Sequence, residues 1–331
     1  GRYYCSKEPH LSADDQQYAN VEEAERRREW VFAEQLNLER DYVSRLYSRL
    51  DTMRQETEQK LAQVRKNQAV GGHQNRSERD SFAAHYEDRL AQLNAVDARL
   101  AFGRLDMSRE GEDVTRYIGR LGITDEQQNR LLMDWRAPEA GTFYQATAFT
   151  PMGVRRRRHL MLEGRTVVNL EDEVFDPAML QDSGELHGEG ALLAALNQKR
   201  TGRMNDIVAT IQAEQDAIIR SDLAGVRVVQ GGPGTGKTAV ALHRAAYLLY
   251  TNRERLAKAG VLVVGPSNSF MWYIERVLPS LGETGVVMAS LATLYPGLQA
   301  VAEKSRKVAA LKGELRMVKV IERAVADRQK V

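Results

Sequence analysis

From about Val21 to Lys66 the chain is dense in Glu, Arg, Gln and Leu and has neither Gly nor Pro. Its apolar positions include a stripe at Tyr42, Leu46, Leu50, Met53, Leu61 and Val64. That spacing follows the period of a helix that is polar over most of its circumference. The pattern breaks at Gly71-Gly72 and resumes at Phe82, Tyr86, Leu90, Leu93, Val96 and Leu100, a cleaner heptad. Two long helices with narrow apolar seams, joined by a polar turn from Asn67 to Asp80, predict an antiparallel α-helical coiled-coil hairpin; at 1.5 Å per residue its first arm is roughly 65 Å long. The competing expectation is a pair of helices lying along a domain. The turn mixes Arg76, Glu78, Arg79 and Asp80, and this mixed sign suits a solvated turn better than a metal-directed tip.

Between Phe102 and Asp176 glycines return and the period changes. Arg116 to Gly119, Phe143 to Phe149, Val154 to Leu162 and Arg165 to Leu170 cluster or alternate β-formers, and the last two, parted by Glu163-Gly164, predict a β-hairpin. Arg155 to Arg158 is a basic run that an alternating strand divides between two faces, so a solvated strand is expected there. Gly188 to Arg220 looks helical. Beyond it, apolar runs at Val226 to Val229, Gly260 to Gly265 and Gly285 to Ala289 alternate with helical segments at Thr238 to Tyr250 and Ser269 to Leu278, the pattern of a parallel sheet covered on both faces. A charged helical stretch from Glu303 closes the chain.

Gly231 to Thr238 reads Gly-Gly-Pro-Gly-Thr-Gly-Lys-Thr and fits the P-loop spacing without a mismatch. Glycines serve such a loop because its backbone amides must turn inward around phosphate oxygens, and a Cβ would obstruct both the turn and the approach. The expected site is Gly232, Pro233, Gly234, Thr235, Gly236, Lys237, Thr238 and Ala239. Lys237 supplies charge to the β/γ-phosphates and Thr238 a hydroxyl to Mg2+. The expected fold is therefore an α/β P-loop NTPase (RecA-like) core with the N-terminal hairpin and a small β-rich module. The domain reading is 1–100 for the hairpin, 101–187 for the β-rich module, 188–300 for the P-loop domain and 301–331 for the start of a helical insertion.

With 331 residues, 43% hydrophobic and 28% charged, the chain can build more than one core. A net charge of +2 provides no global field toward nucleic acid or membrane, so any nucleic-acid contact is local. One cysteine, Cys5, excludes an internal disulfide, and no apolar run is long enough to cross a bilayer; a cytoplasmic monomer is the expectation. Phosphoryl transfer also needs a carboxylate to hold Mg2+, yet Asp327 is the only aspartate after Thr238. The hydrolytic half of the site is not visible, which suits either a piece of a longer enzyme or a protein that binds nucleotide without turning it over.

Ile211-Gln212-Ala213-Glu214-Gln215 upstream of the loop, with Gly236 to Arg244 within it, resembles the UvrD/Rep branch of superfamily 1 helicases. That resemblance implies that Gln215 contacts adenine and that ATP is the nucleotide; Ala239 departs from the arginine common there. Phe102 to Asp106, Tyr117 to Arg120, Asp134 to Pro138 and Phe143 to Thr147 are similar to the signature runs of the HelD family, helicase-like factors of bacterial RNA polymerase. The resemblance implies a hairpin that enters the polymerase secondary channel, ATP-driven release and recycling of stalled polymerase, and a continuation beyond Val331 carrying the acidic Mg2+ motif. Some actinobacterial members protect polymerase from rifamycins, with which the Arg-rich character here is compatible. Two other functions stay open. One is a DNA helicase on single strands, with Phe270, Trp272 and Tyr273 as stacking platforms; the other is a nucleotide-sensing interaction protein without hydrolysis.

Overall fold

The computed structural model describes residues 13–66, 73–176 and 207–328, the last stretch with short gaps between 276 and 302. The chain divides into two compact units, Gly1–Val261 with Trp272–Val287, and Leu262–Met271 with Met288–Val331.

The first unit begins with α1 (Ala13–Lys66), a single helix of 54 residues, followed by α2 (His73–Ala95). The two run antiparallel where they meet: Arg65 pairs with Glu87 at 2.7 Å, and Arg54 donates to the Leu93 carbonyl at 2.7 Å. The apolar stripe of α1 has two destinations. Leu36, Val43, Leu46, Tyr47 and Leu50 are buried in one core with Leu121, Ile123, Leu132, Leu160, Val167 and Leu170 of the sheet, joined by Leu93, Val96 and Leu100 from the end of α2. Farther along, Leu61 is buried, whereas Phe82 at the far end of the α2 seam is 56% exposed. Helices and sheet therefore share a core, with the hairpin pairing confined to the later part of α1. The side chains of Arg76, Glu78 and Arg79 at the expected turn lie outside the described residues.

The sheet comprises β1 (Ala101–Arg109), β2 (Glu112–Gly119), β3 (Ile123–Thr124), β4 (Arg130–Asp134), β5 (Val154–Glu163) and β6 (Thr166–Val174), ordered β3-β4-β2-β1-β5-β6. All neighbours are antiparallel except β2 and β4. The β1–β2 connection is Glu110-Gly111, both with positive φ (55° and 85°), the backbone of the two-residue turns that match strand twist. The β5–β6 hairpin forms as expected, its strands closing on the pair Glu163 and Thr166.

Three expectations change. Phe143 to Phe149 is not a strand: Pro138–Ala140 is a 3₁₀ turn leading into the short helix α3 (Gly141–Gln145). Arg157 donates to the carbonyls of Phe143 and Ala146 at 2.7 and 3.2 Å, satisfying the end of that helix. The basic run is not a solvated strand either. Alternation does split it, but Arg156 and Arg158 are buried and ion-paired to Asp106, Asp172 and Glu39, while Arg155 and Arg157 pair with Asp113, Asp176 and Glu173. Lastly, Val226 to Val229 forms no strand, and the RecA-like parallel sheet is not assembled among the described residues. Val226 and Val228 are 95% and 84% exposed, and a parallel sheet holds only when both its faces are covered.

After the sheet come α4 (Ala213–Ile219), α5 (Lys237–Thr251) and α6 (Arg253–Ala259). The expected helix over 188–220 lies outside the described residues up to 206. The second unit holds most of a two-stranded sheet, β7 (Val261–Gly265) with β8 (Val286–Ser290). The helix α7 (Asn268–Ile274) crosses the division, and α8 (Val277–Ser280) belongs to the first unit. The charged C-terminal stretch makes α9 (Arg306–Lys312) and α10 (Arg316–Arg328), broken at Gly313. Among the described residues no helix is long and apolar enough to cross a membrane.

Candidate functional site

The loop and the helix of the phosphate-binding motif are both formed. Gly234 and Gly236 adopt φ of +77° and +85°, the left-handed region where a side chain is strained, so these two positions require glycine. Thr235 closes the loop by donating its hydroxyl to the Gly232 carbonyl at 2.9 Å. A Cβ on Gly231 would sit 2.7 Å from that same hydroxyl, so the loop is as tight as its composition suggests. Lys237 folds back across it, its ammonium donating to the carbonyls of Gly231 and Gly232 at 2.8 and 2.6 Å.

α5 begins at Lys237 with Gly236 as its cap, and Val240 N donates to Gly236 O at 2.9 Å. The first amides of a helix have no partner within it and carry the positive end of its dipole, which favours an anion. Thr238 stands in this first turn, and Ala239 behind it is buried. The loop thus fits a triphosphate: it offers an ammonium at present held by two carbonyl oxygens, left-handed glycines, and the N-terminus of a 15-residue helix. A Mg2+ ion accompanying a triphosphate would be held here through the Thr238 hydroxyl. Among the described residues no group of three or more His, Cys, Asp or Glu side chains could hold a metal.

Gln215 is brought to this loop. Its Oε1 accepts from Gln212 N at 3.1 Å in a capping box at the start of α4, and its Nε2 lies 3.1 Å from where a Cβ on Gly236 would be. The pairing with Gly236 places in one site two residues 21 positions apart in the chain.

Beneath the loop, α4 and α5 are locked together and to the sheet module. Arg244 on α5 donates to the carbonyls of Ile218, Ile219 and Ser221 at the end of α4. His243 is fully buried, takes a hydrogen bond from Ile207 N at 3.1 Å, and meets Trp135 edge-on at 5.7 Å; it is a packed histidine, not a ligand. Trp135 is itself fully buried, flanked by the ion pair of Asp134 with Arg136, and Arg136 also pairs with Glu283 and stacks over Tyr250 at 4.8 Å. Sequence reasoning missed Asp216, Arg220 and Gln145, which join here. Asp216 is fully buried and accepts from Gln145 Nε2 at 2.7 Å and from Arg220 Nε at 2.8 and 3.0 Å. Burial raises its pKa against the opposing pull of Arg220 and Gln145. The spacing of Asp216 and Arg220, one helical turn apart, was the available signal.

Residues 36–187 match the family model described as DNA helicase IV HelD, N-terminal domain. The chain carries a HelD N-terminal domain. The HelD match takes in most of the helical core on α1, all of α2 and the whole six-stranded sheet, and stops short of the phosphate loop. No curated protein matches the chain.

Proposed function

We propose that the protein is an ATP-dependent, helicase-like factor that binds bacterial RNA polymerase and releases it from nucleic acid for reuse. The observation that carries this reading is the formed phosphate loop, with Lys237 drawn over the Gly231 and Gly232 carbonyls, in a chain that bears a HelD N-terminal domain. In this reading Gly232, Pro233, Gly234, Thr235 and Gly236 wrap the phosphates, Lys237 neutralises the β- and γ-phosphates, and Thr238 reaches Mg2+. Ala239 backs the first turn and Gln215 faces the base. Bound ATP supplies a phosphoanhydride whose hydrolysis is coupled to movement. The loop and the apolar strands β7 and β8 belong to a RecA-like domain, and exposed Leu262, Val264 and Val287 are the side chains such a sheet would cover. The paired ends of α1 and α2 form the arm that enters the secondary channel. The protein acts in the cytoplasm as a monomer, and rifamycin protection follows if the arm and body together reshape the polymerase.

Capture of core polymerase by the full-length protein tests the partner, and ATP turnover tests the loop. Lys237→Ala is expected to abolish turnover while leaving polymerase capture intact. A protein that captures no polymerase, with or without ATP, overturns the recycling assignment. One observation favours a second reading: Trp272 and Tyr273 are 53% and 42% exposed, as platforms for single-stranded DNA would be. Strand displacement without polymerase, lost in Trp272→Ala, would select it.

A further inference from the structure

α4 has seven residues, too few to hold a helical position alone, so its anchors decide where Gln215 stands. The anchors lie on different sides. On one, Gln215 abuts Gly236 of the loop. On the other, the adjacent Asp216 is fully buried and grips Gln145, the last residue of α3 in the HelD N-terminal module. Arg220 completes the grip: it binds Asp216 through Nε and spends its remaining nitrogens on the carbonyls of Trp135 and Ala137, at 2.7 and 3.0 Å. Gly141 makes room for this arginine, since a Cβ there would lie 3.3 Å from Arg220 Nε.

We propose that Gln145, Asp216 and Arg220 are positioning residues through which the HelD N-terminal module holds Gln215 against the phosphate loop and sets the base preference of the bound nucleotide. The inference rests on the nucleotide-binding reading above. Two features argue for positioning rather than packing alone. A buried, hydrogen-bonded charge cluster fixes one geometry, whereas apolar residues of similar volume can stabilise as well without specifying it. The cluster also reaches the residue next to Gln215, which the reading above sets against the base, so in that reading its effect falls chiefly on the base end of a nucleotide. Gln215 is constrained in the same sense: its Oε1 is held by the Gln212 amide, which aims Nε2 at the loop.

The test is calorimetry of the full-length protein with Mg2+ and each of ATP, GTP and inorganic tripolyphosphate, comparing the parent with Gln145→Ala, Gln145→Glu and Lys237→Ala. Gln145→Ala is expected to lower the ATP-over-GTP preference by about tenfold, the scale of one lost oriented hydrogen bond, with tripolyphosphate affinity held within about twofold. Gln145→Glu sets a second carboxylate against Asp216 and is expected to lose more. Equal losses for all three ligands would overturn the proposal in favour of a purely structural cluster. An unchanged preference in both Gln145 variants, with Lys237→Ala still abolishing binding, would overturn it and leave the nucleotide site standing. No Lys237-dependent ATP binding in the parent would overturn both.

Discussion

Glu39 on α1 and Arg158 on β5 meet at 2.7 Å, both almost completely excluded from water, although 119 residues separate them in the chain. The same carboxylate accepts from Arg104 at 2.7 Å and from the Tyr117 hydroxyl at 2.8 Å. Arg158 continues the chain of charges to Asp172 at 2.6 Å, and Arg156 bonds to Asp106 at 2.7 Å. Burial and the Glu39 carboxylate raise the Tyr117 pKa. Burial pushes Asp106 upward, but the guanidiniums of Arg104 and Arg156 outweigh it and hold the carboxyl low.

Removing Glu39 therefore leaves three guanidiniums, Arg104, Arg156 and Arg158, against the two carboxylates Asp106 and Asp172. Glu39→Ala is expected to destabilise the first unit by about 3–5 kcal/mol, the cost of leaving a buried charge uncompensated. Tyr117→Phe deletes one hydrogen bond to a charged group and should cost about 1.5–3 kcal/mol. Urea unfolding of the two variants measures both, and equal stability of Glu39→Ala and the parent would show that the network is dispensable.

Arg165 presents the contrasting case. It bridges Asp51 on α1 and Asp97 just beyond α2 at 2.7 and 2.6 Å, and its hydrogen bonds lower the pKa of both. All three side chains are 40% or more exposed. Arg165→Ala should thus cost no more than about 1 kcal/mol, and raising the salt concentration should narrow the gap between variant and parent.

His159 predicts a pH dependence. Its ring is half-buried against Phe143, with centroids 5.1 Å apart, and loss of water around it, aided by the charge of Arg157, lowers its pKa from 6.5 to about 4. Between those values the unfolded chain takes up a proton that the folded protein refuses. This contribution to stability is complete above pH 6.5, declines as pH falls through the window, and is lost by about pH 4. Its full size is about 3 kcal/mol. His159→Gln should show a flatter stability profile over that window, and a ring that titrates near 6.5 by NMR in the folded protein would contradict the assignment.

Gly119 ends β2 under the carbonyl of Leu100 and the side chain of Leu132. A Cβ there collides with backbone, which cannot rotate away. Gly119→Ala should cost about 1–3 kcal/mol by overpacking, read as a lower thermal midpoint. Gly111→Ala meets no atom within 4 Å but keeps a strained φ of +85°, so its loss is conformational alone.

Local patterns carried much of this fold. The two helices were legible because their apolar stripe and lack of Gly and Pro are properties of neighbouring residues, and the β5–β6 hairpin because its turn lies between two β-rich runs. The alternation of Arg155 to Arg158 was legible too, but not the burial of alternate members. That burial depends on Glu39, Asp106 and Asp172, which only the folded chain assembles. Phe143 to Phe149 looked like a strand by composition, whereas the Arg157 bonds to its carbonyls favour a helical turn. At the candidate site the glycine spacing announced the loop and the Lys237 turn. The grip of Gln145 on Asp216 left no trace, because a lone glutamine in another module carries no pattern.

α1 runs 54 residues without a glycine or proline, roughly 80 Å at 1.5 Å per residue, and only its middle rests on the sheet. Such a rod has no built-in joint. Its seat around Glu39 combines the apolar side chains from Leu36 to Leu50 with buried charges, and the charges add a register that interchangeable methyl groups would not set alone. Sliding by one turn would mismatch every partner at once, so the seat resists creep and yields, if at all, in a single step.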